Sequence, residues 1–156
     1  MKILIAKISL LVFLAGFLIL LWWSGNYKDV SAGTLEQAML QEPSVSSLTE
    51  GTENDLRRFY ELNPSEYDGY VFYRSESAMA VEELLIVKLK DSSQLDTVED
   101  QIQHRLDSQL EALDGYGVEQ TALLNAHIQK SMGNYVFFGV SSEAQEWLEA
   151  FTSCIR

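Results

Sequence analysis

The sequence predicts a single α+β domain: an antiparallel four-stranded sheet in β-β-α-β-β-α order, preceded by short helices and one N-terminal transmembrane helix. Three observations lead to this prediction. Four aromatic and β-branched segments occur in two pairs, an amphipathic helical segment follows each pair, and an uncharged apolar run lies near the start of the chain. Helices segregated to one side of an antiparallel sheet are an economical packing, so we expect them mainly on one face.

The apolar run extends from Ile8 to Trp23 without a charge, or from Ile3 if Lys7 is allowed as an interruption. Counted from Ile3 it has twenty-one residues, which as a helix would span roughly 30 Å, the thickness of a bilayer core. We therefore expect membrane contact through residues 3–23. The predicted organisation is an anchor over residues 1–23, a polar tether over 24–33 and an extracytoplasmic domain over 34–156.

A signal peptide is the alternative interpretation of this segment. The small residues of Val30-Ser31-Ala32 would allow cleavage after Ala32 and secretion of the domain. Against cleavage, the apolar core is long for a signal, and the Trp22-Trp23 pair suits a membrane interface. These features favour an uncleaved anchor.

The charged residues predict the orientation of the chain in the membrane and exclude one class of partner. Lys2 and Lys7 precede the run and a single Lys28 follows it, so the N-terminus should stay inside. The expected location is the cytoplasmic membrane, as a single-pass protein with its domain outside. After Trp23 the chain carries nine basic against twenty-three acidic residues, a formal charge of −14. Such a surface repels phosphates, so nucleic acid is not an expected partner.

The domain is predicted to begin with two short helices. Thr34 and Gln37 have the spacing of a capping box, and Thr52 is a candidate cap for a second helix that ends before Pro64. The Ser-rich residues 41–51 between the helices are predicted to form a loop. The apolar face of the second helix consists of Leu56, Phe59 and Tyr60.

Two strands follow and form a predicted hairpin, Tyr70–Arg74 and Glu82–Lys90. In the second strand, alternate side chains point to opposite faces of the sheet. One of its sides is purely apolar and is expected to meet the core, whereas the other becomes charged at Lys88 and Lys90.

The longest helix is predicted to start after Ser92 or Ser93 and to stop near Tyr116, because of Gly115 and Gly117. Its apolar residues recur every three or four positions and form one stripe: Leu95, Val98, Ile102, Leu106, Leu110 and Leu113. The remaining predicted elements are a short helix over Glu119–Asn125, strands over Ala126–Lys130 and Asn134–Val140, and a final amphipathic helix capped by Ser141 or Ser142.

The sequence predicts no catalytic, cofactor-binding or metal-binding residues. His104 and His127 stand alone, without the neighbours that a zinc site needs. The chain has no GxSxG or SxxK arrangement for an activated serine and no Gly-rich phosphate loop. Asp96, Glu99 and Asp100 share a helical face, but a helix does not wrap around Ca²⁺ as a loop does.

Aromatic residues are predicted on both faces of the sheet, and two interpretations follow. In one, the first two helices cover the face that the later helices leave open. In the other, a patch stays exposed and suits a peptide or glycan ligand. The candidate ligand surface consists of Tyr70, Phe72, Arg74, Lys88, Tyr135 and Phe137.

The segments EELLIVKLKD, RLDSQLEALDGY and HIQKSMGNYVFFGVSS, in this order after an apolar segment, resemble the bacterial family called domain of unknown function 4358. The resemblance covers roughly Thr34 to Phe151. It implies a small envelope protein, often a lipoprotein in this family, and no particular activity. This chain has no cysteine after the apolar run, since its one thiol is Cys154, so the helix remains the expected anchor.

The function expected from these observations is a membrane-anchored, extracytoplasmic binding or accessory module of the bacterial cell envelope, without catalysis. Its partner would be an envelope protein, a peptide or a glycan. Two alternatives stay open: a structural or regulatory partner of another membrane protein, and an envelope hydrolase that uses carboxylates.

Overall fold

The computed structural model describes residues 7, 11–18, 27–77 and 79–156. In chain order the elements of the domain are α1 (Ala32–Met39), α2 (Pro43–Ser46), β1 (Thr49–Glu50), α3 (Glu53–Tyr60), β2 (Gly69–Arg74), β3 (Glu83–Lys88), α4 (Leu95–Ala112), α5 (Val118–Asn125), β4 (Ile128–Met132), β5 (Tyr135–Val140) and α6 (Ala144–Ile155), with 3₁₀ turns at Pro64–Glu66 and Ser92–Gln94.

The strands form one antiparallel sheet in the order β1-β2-β3-β5-β4. The α+β class and both predicted hairpins are confirmed. The sheet has five strands rather than the four predicted, because β1 pairs with the end of β2. That strand is two residues long and lies in the predicted loop over 41–51, too short to show any alternation.

Helices cover both faces of the sheet, so the prediction of helices mainly on one face is wrong. One core joins α3, α4 and α5 to the face that carries Phe72, Leu85 and Phe138. A second core joins α1, α2 and α6 to the face that carries Ile86 and Phe137. Every residue of β3 and β5 is buried, and strands buried on both sides require a layer on each.

Helix starts agree only partly with the predictions. The predicted cap at Thr52 is confirmed. It forms a capping box that was not predicted, because its side chain and that of Asp55 each accept a hydrogen bond from the other's backbone N–H, at 3.1 and 2.9 Å. The predicted start at Thr34 is wrong. Helix α1 begins at Ala32, and its cap is Ser31, whose Oγ accepts a hydrogen bond from the Thr34 N–H at 3.2 Å.

Residues 27–31, here called the strap, are bound to the domain where a polar tether over 24–33 was predicted; residues 24–26 lie outside the described residues. The Lys28 N–H donates to the Ile155 carbonyl at 2.7 Å, and the Val30 N–H donates to the Tyr135 hydroxyl at 2.7 Å. Asp29 pairs with the buried ammonium of Lys88 at 2.7 Å. Buried polar groups need such partners, and the strap supplies them.

Part of the N-terminal apolar run is described. Residues 11–18 are helical, and their large apolar side chains are exposed. Among the residues that the structure describes, no helix has both the length and the apolar character needed to cross a membrane. Most of the predicted anchor, residues 1–6, 8–10 and 19–23, lies outside the described residues.

The strap should contribute to the stability of the fold through Tyr135. In Tyr135→Phe the partly buried Val30 N–H loses its acceptor, so we expect the free energy of unfolding to fall by about 1–3 kcal/mol. Urea unfolding of the full chain in detergent micelles measures it. Tyr116→Phe is the control, because its hydroxyl is on an exposed ring and should change stability by less than about 0.5 kcal/mol. Equal effects from both variants would contradict the role of the strap.

Candidate binding cleft

The six residues predicted as a ligand surface do not come together. Tyr70, Phe72 and Arg74 lie on one face of the sheet, while Lys88, Tyr135 and Phe137 belong to the opposite face. Phe72, Tyr135 and Phe137 are at most 1% exposed, because helices cover both faces. The predicted aromatic patch is therefore absent from the described part of the domain, and of the six only Arg74 lines the cleft described below.

Lys88 is a buried cation that is already paired with two carboxylates, and it does not face a ligand site. Its side chain is 7% exposed, and its Nζ lies 2.7 Å from Asp29 and 2.6 Å from Asp68. Burial by itself lowers the pKa of Lys88, but the bonds to the two carboxylates raise it by more, so the net pKa is above its usual value. The same contact lowers the pKa of Asp68.

Three arginines converge on the ring of Phe59 at the other end of the strands. The guanidinium carbon lies 4.5 Å from the ring centroid for Arg105, 5.2 Å for Arg74 and 5.4 Å for Arg58. They come from α4, the end of β2 and α3 respectively. Each contact is within the range of a cation–π interaction. Three of the five arginines after Trp23 therefore share one aromatic ring in a domain of formal charge −14.

Glu83 lies beneath this cluster and is 2% exposed. Arg105 donates to it through Nε at 3.3 Å and Nη2 at 2.9 Å, and the Tyr60 hydroxyl donates to the same carboxylate. A bidentate guanidinium contact is the geometry that best stabilises a buried carboxylate. Burial and then the charge of Glu83 raise the pKa of Tyr60 well above its usual value of 10.0. Burial by itself lowers the pKa of Arg105, but the bonds to Glu83 raise it by more, so the net pKa is above its usual value.

The arginine cluster borders a cleft of about 420 Å³ between α3, α4 and the β2–β3 connection, here called the arginine cleft. Its lining includes an apolar wall formed by Met79, Val81, Ala112, Leu113 and Tyr116. A neighbouring depression of about 500 Å³ shares Arg58, Phe59 and Arg105 with it. The cleft is within the size range of small-molecule sites, roughly 300–1,000 Å³.

Two buried polar atoms in this cleft have no hydrogen-bond partner among the described residues. They are the Nε donor of Arg74 and the Oε1 acceptor of Gln109, and both residues line the arginine cleft. Buried polar atoms are almost always paired, because an unpaired one costs about 1–3 kcal/mol. Both atoms are shielded from solvent, so a molecule in the cleft would meet the outer atoms of these two side chains and not the unpaired ones.

The arginine cleft and the strap lie at opposite ends of the central strands. Lys88, which the strap contacts, pairs with Gly69, whereas Glu83 pairs with Arg74 at the far end. Strands of six residues separate the two ends by about 17 Å. The strap therefore meets the domain at the end of the sheet away from the arginine cleft.

Sequence reasoning identified Arg74 but missed Arg58, Phe59, Arg105 and Gln109. Phe59 was assigned only to the apolar face of its helix. A usable signal existed on α4, where Arg105 and Gln109 are four residues apart and hence on one helical face. The two histidines are uninvolved in any cluster that could hold a metal among the described residues: His104 is exposed, and His127 bonds through Nδ1 to the Leu124 carbonyl at 2.7 Å.

Comparisons with known proteins give one result. The family model described as Domain of unknown function (DUF4358) matches residues 41–141, more than half of the chain. The resemblance stated from the sequence is confirmed, over a shorter stretch than the Thr34 to Phe151 expected. The matched part contains every residue of the arginine cluster, while the strap, α1 and α6 lie outside it. Searches of curated proteins and of solved structures find no match to the chain.

The pKa of Tyr60 predicts a loss of stability at alkaline pH. Because it is higher in the folded than in the unfolded chain, its contribution is complete below the unfolded value of 10.0 and is lost as the pH rises towards the folded value. The pKa of Lys88 is also raised in the folded chain, so its contribution to stability is likewise lost at alkaline pH. We expect the free energy of unfolding to fall above about pH 10, and to fall less steeply in Tyr60→Phe.

Urea unfolding of the full chain in micelles between pH 8 and pH 11 measures this dependence. Tyr116→Phe, which removes an exposed hydroxyl, should keep the slope of the unaltered protein. If Tyr60→Phe keeps that slope too, Tyr60 is not the group responsible.

Proposed function

The chain belongs to the family described as Domain of unknown function (DUF4358), and we propose that it is a membrane-anchored, extracytoplasmic binding module of the bacterial cell envelope. Its ligand enters the arginine cleft, and the protein acts as a non-catalytic accessory to an envelope process. The observation that carries this proposal is the convergence of three arginines on Phe59 beside the cleft, one of which, Arg58, is exposed and forms no ion pair among the described residues.

The composition of the cleft favours binding over catalysis. A carboxylate that hydrolyses a substrate needs an oxygen available to a water molecule or a leaving group. Glu83 instead accepts hydrogen bonds from Arg105 and Tyr60 and is 2% exposed. Its role is to hold Arg105 in place. Glu76 and Glu82 also line the cleft, beside three arginines that have the chemistry of recognition.

Two features support the membrane anchor. The apolar run over residues 3–23 has the length of a membrane span, and in its described part, residues 11–18, the large apolar side chains are exposed on a helix. The strap begins only four residues after Trp23, and four fully extended residues span at most about 14 Å. The strap end of the domain would then lie close to the membrane, and the arginine cleft would open away from it.

The strap also favours retention of the N-terminal segment. Cleavage after Ala32 would remove Ser31, which caps α1, together with Lys28, Asp29 and Val30 and all their bonds to the domain. We expect N-terminal sequencing of the protein isolated from membranes to start at Met1 or Lys2. A sequence that starts at Gly33 would show secretion after cleavage, and would remove the anchor from the proposal.

Crosslinking from inside the cleft tests the binding function. A benzoylphenylalanine at Met79, on the apolar wall, should form an adduct when intact cells are irradiated. The adduct should be lost when Arg58→Gln is added, because the ligand then loses a cation that holds it. The control position is Val118, an apolar residue that is 83% exposed and lies outside the cleft. An adduct at both positions, or one that persists without Arg58, would contradict binding in the cleft.

A further inference from the structure

The side of the domain that receives the strap is neutral, although the domain as a whole is acidic. This side, here called the strap end, includes the strap itself and the segments around its contacts: residues 27–31, 65–69, 88–91, 132–135 and 154–156. These segments contain four basic and four acidic residues. The formal charge of −14 is therefore carried entirely by the rest of the domain.

Three cations of the strap end are exposed and form no ion pair among the described residues. They are Lys28, Lys90 and Arg156. The Lys90 Nζ donates to the Ser65 carbonyl at 2.7 Å, an uncharged acceptor that leaves the positive charge uncompensated. Arg156 directly follows Ile155, whose carbonyl accepts the Lys28 N–H, so the strap brings two of these cations to the end of α6.

The four carboxylates of the strap end are, in contrast, already bonded within the domain. Asp29 and Asp68 both contact the ammonium of Lys88, at 2.7 and 2.6 Å. Glu66 and Asp91 accept hydrogen bonds from neighbouring residues at 3.2 and 2.8 Å. The cations that lack a carboxylate partner are therefore the charged groups of this surface that can attract an external anion.

The length of chain before the strap limits how far this surface can lie from a bilayer. Trp23 suits the boundary of the apolar core, and the four residues from there to Tyr27 span at most about 14 Å. Lipid headgroups occupy about 5–8 Å on each side of that core. The strap therefore starts no more than about 9 Å beyond the headgroups, close to the screening length of about 8 Å in physiological salt.

Two electrostatic effects then act in the same direction. An anionic bilayer attracts the three exposed cations of the strap end, and it repels the rest of the domain, which carries the whole formal charge of −14. Both effects turn the strap end towards the headgroups and the acidic remainder away from them.

We propose that the strap end docks on the headgroups of anionic lipids in the membrane that holds the anchor, with Lys28, Lys90 and Arg156 next to the lipid phosphates. This contact converts a short connection into a fixed orientation of the domain, with the arginine cleft on the side away from the bilayer. The proposal rests on the proposed function, because it requires the anchor, and it adds a lipid surface as a second partner.

Paramagnetic broadening in nanodiscs tests the docking. The full chain is inserted into nanodiscs of phosphatidylcholine, alone or mixed with phosphatidylglycerol, that contain a trace of lipid with a gadolinium chelate on its headgroup. The backbone amide signals of Lys90 and Asn134 report on the strap end, and that of Met79 reports on the cleft end. We expect phosphatidylglycerol to increase the broadening at Lys90 and Asn134 at least twofold and to leave Met79 unchanged. Salt at 1 M, where screening acts within about 3 Å, should remove the increase.

Single substitutions separate this surface from general charge effects. Lys28→Gln and Arg156→Gln should each lower the ratio of docked to undocked domain about fivefold, the contribution expected of one cation at an anionic membrane surface. Lys130→Gln is the matched control, because Lys130 is exposed and forms no ion pair among the described residues but lies in the middle of β4, outside the strap end. It should change the ratio less than twofold.

The outcomes distinguish this proposal from the one on which it rests. If the strap end is broadened more than Met79 in both kinds of nanodisc but phosphatidylglycerol adds nothing, the anchor stands and the docking is wrong. Equal losses from Lys130→Gln and Lys28→Gln would also contradict the docking, since they would reduce it to net charge. If Met79 is broadened as strongly as Asn134 in phosphatidylcholine alone, the anchored topology is wrong and the docking fails with it.

Discussion

The burial of the central strands on both faces is the constraint on which the rest of the structure depends. Strands β3 and β5 are apolar on each side, so the sheet is stable only between two layers. Helix α4 and its neighbours form one layer, and α6 needs α1 to complete the other. Because α1 is the first element of the domain and α6 the last, the second layer brings both ends of the domain together. The strap follows from this, since Lys28 bonds to the carbonyl of Ile155 at the end of α6.

The same burial means that the charges at both ends of β3 need partners. Its first residue is Glu83 and its last is Lys88, and both are buried. A buried charge is tolerated only with partners that come from outside the strand. At one end the partners are Asp29 of the strap and Asp68; at the other they are Arg105 and Tyr60. One strand thereby links the attachment end of the domain to the cleft end.

The features that could be predicted from the sequence are those whose residues lie close together along the chain. The stripe of α4 and the hairpins were predicted because periodicity and turn residues lie within a few positions of one another. The strap was read as a tether because its polar composition is that of a linker, whereas its partner Tyr135 is 105 residues away. The cleft was missed for the same reason. Arg58, Arg74 and Arg105 lie on three elements, and no spacing along the chain shows that they meet at Phe59.

The acidic surface of the domain is compatible with a cleft that contains arginines. A formal charge of −14 repels anions at long range, but salt screens charges that are more than about 8 Å apart under physiological conditions. Inside the cleft the relevant distances are those of hydrogen bonds, and there Arg58 is exposed while the lining as a whole carries as many carboxylates as guanidinium groups. Repulsion at a distance combined with attraction at contact disfavours ligands with many charges. The long-range repulsion is small for a ligand that has one negative charge and an apolar group that the wall of the cleft can bury.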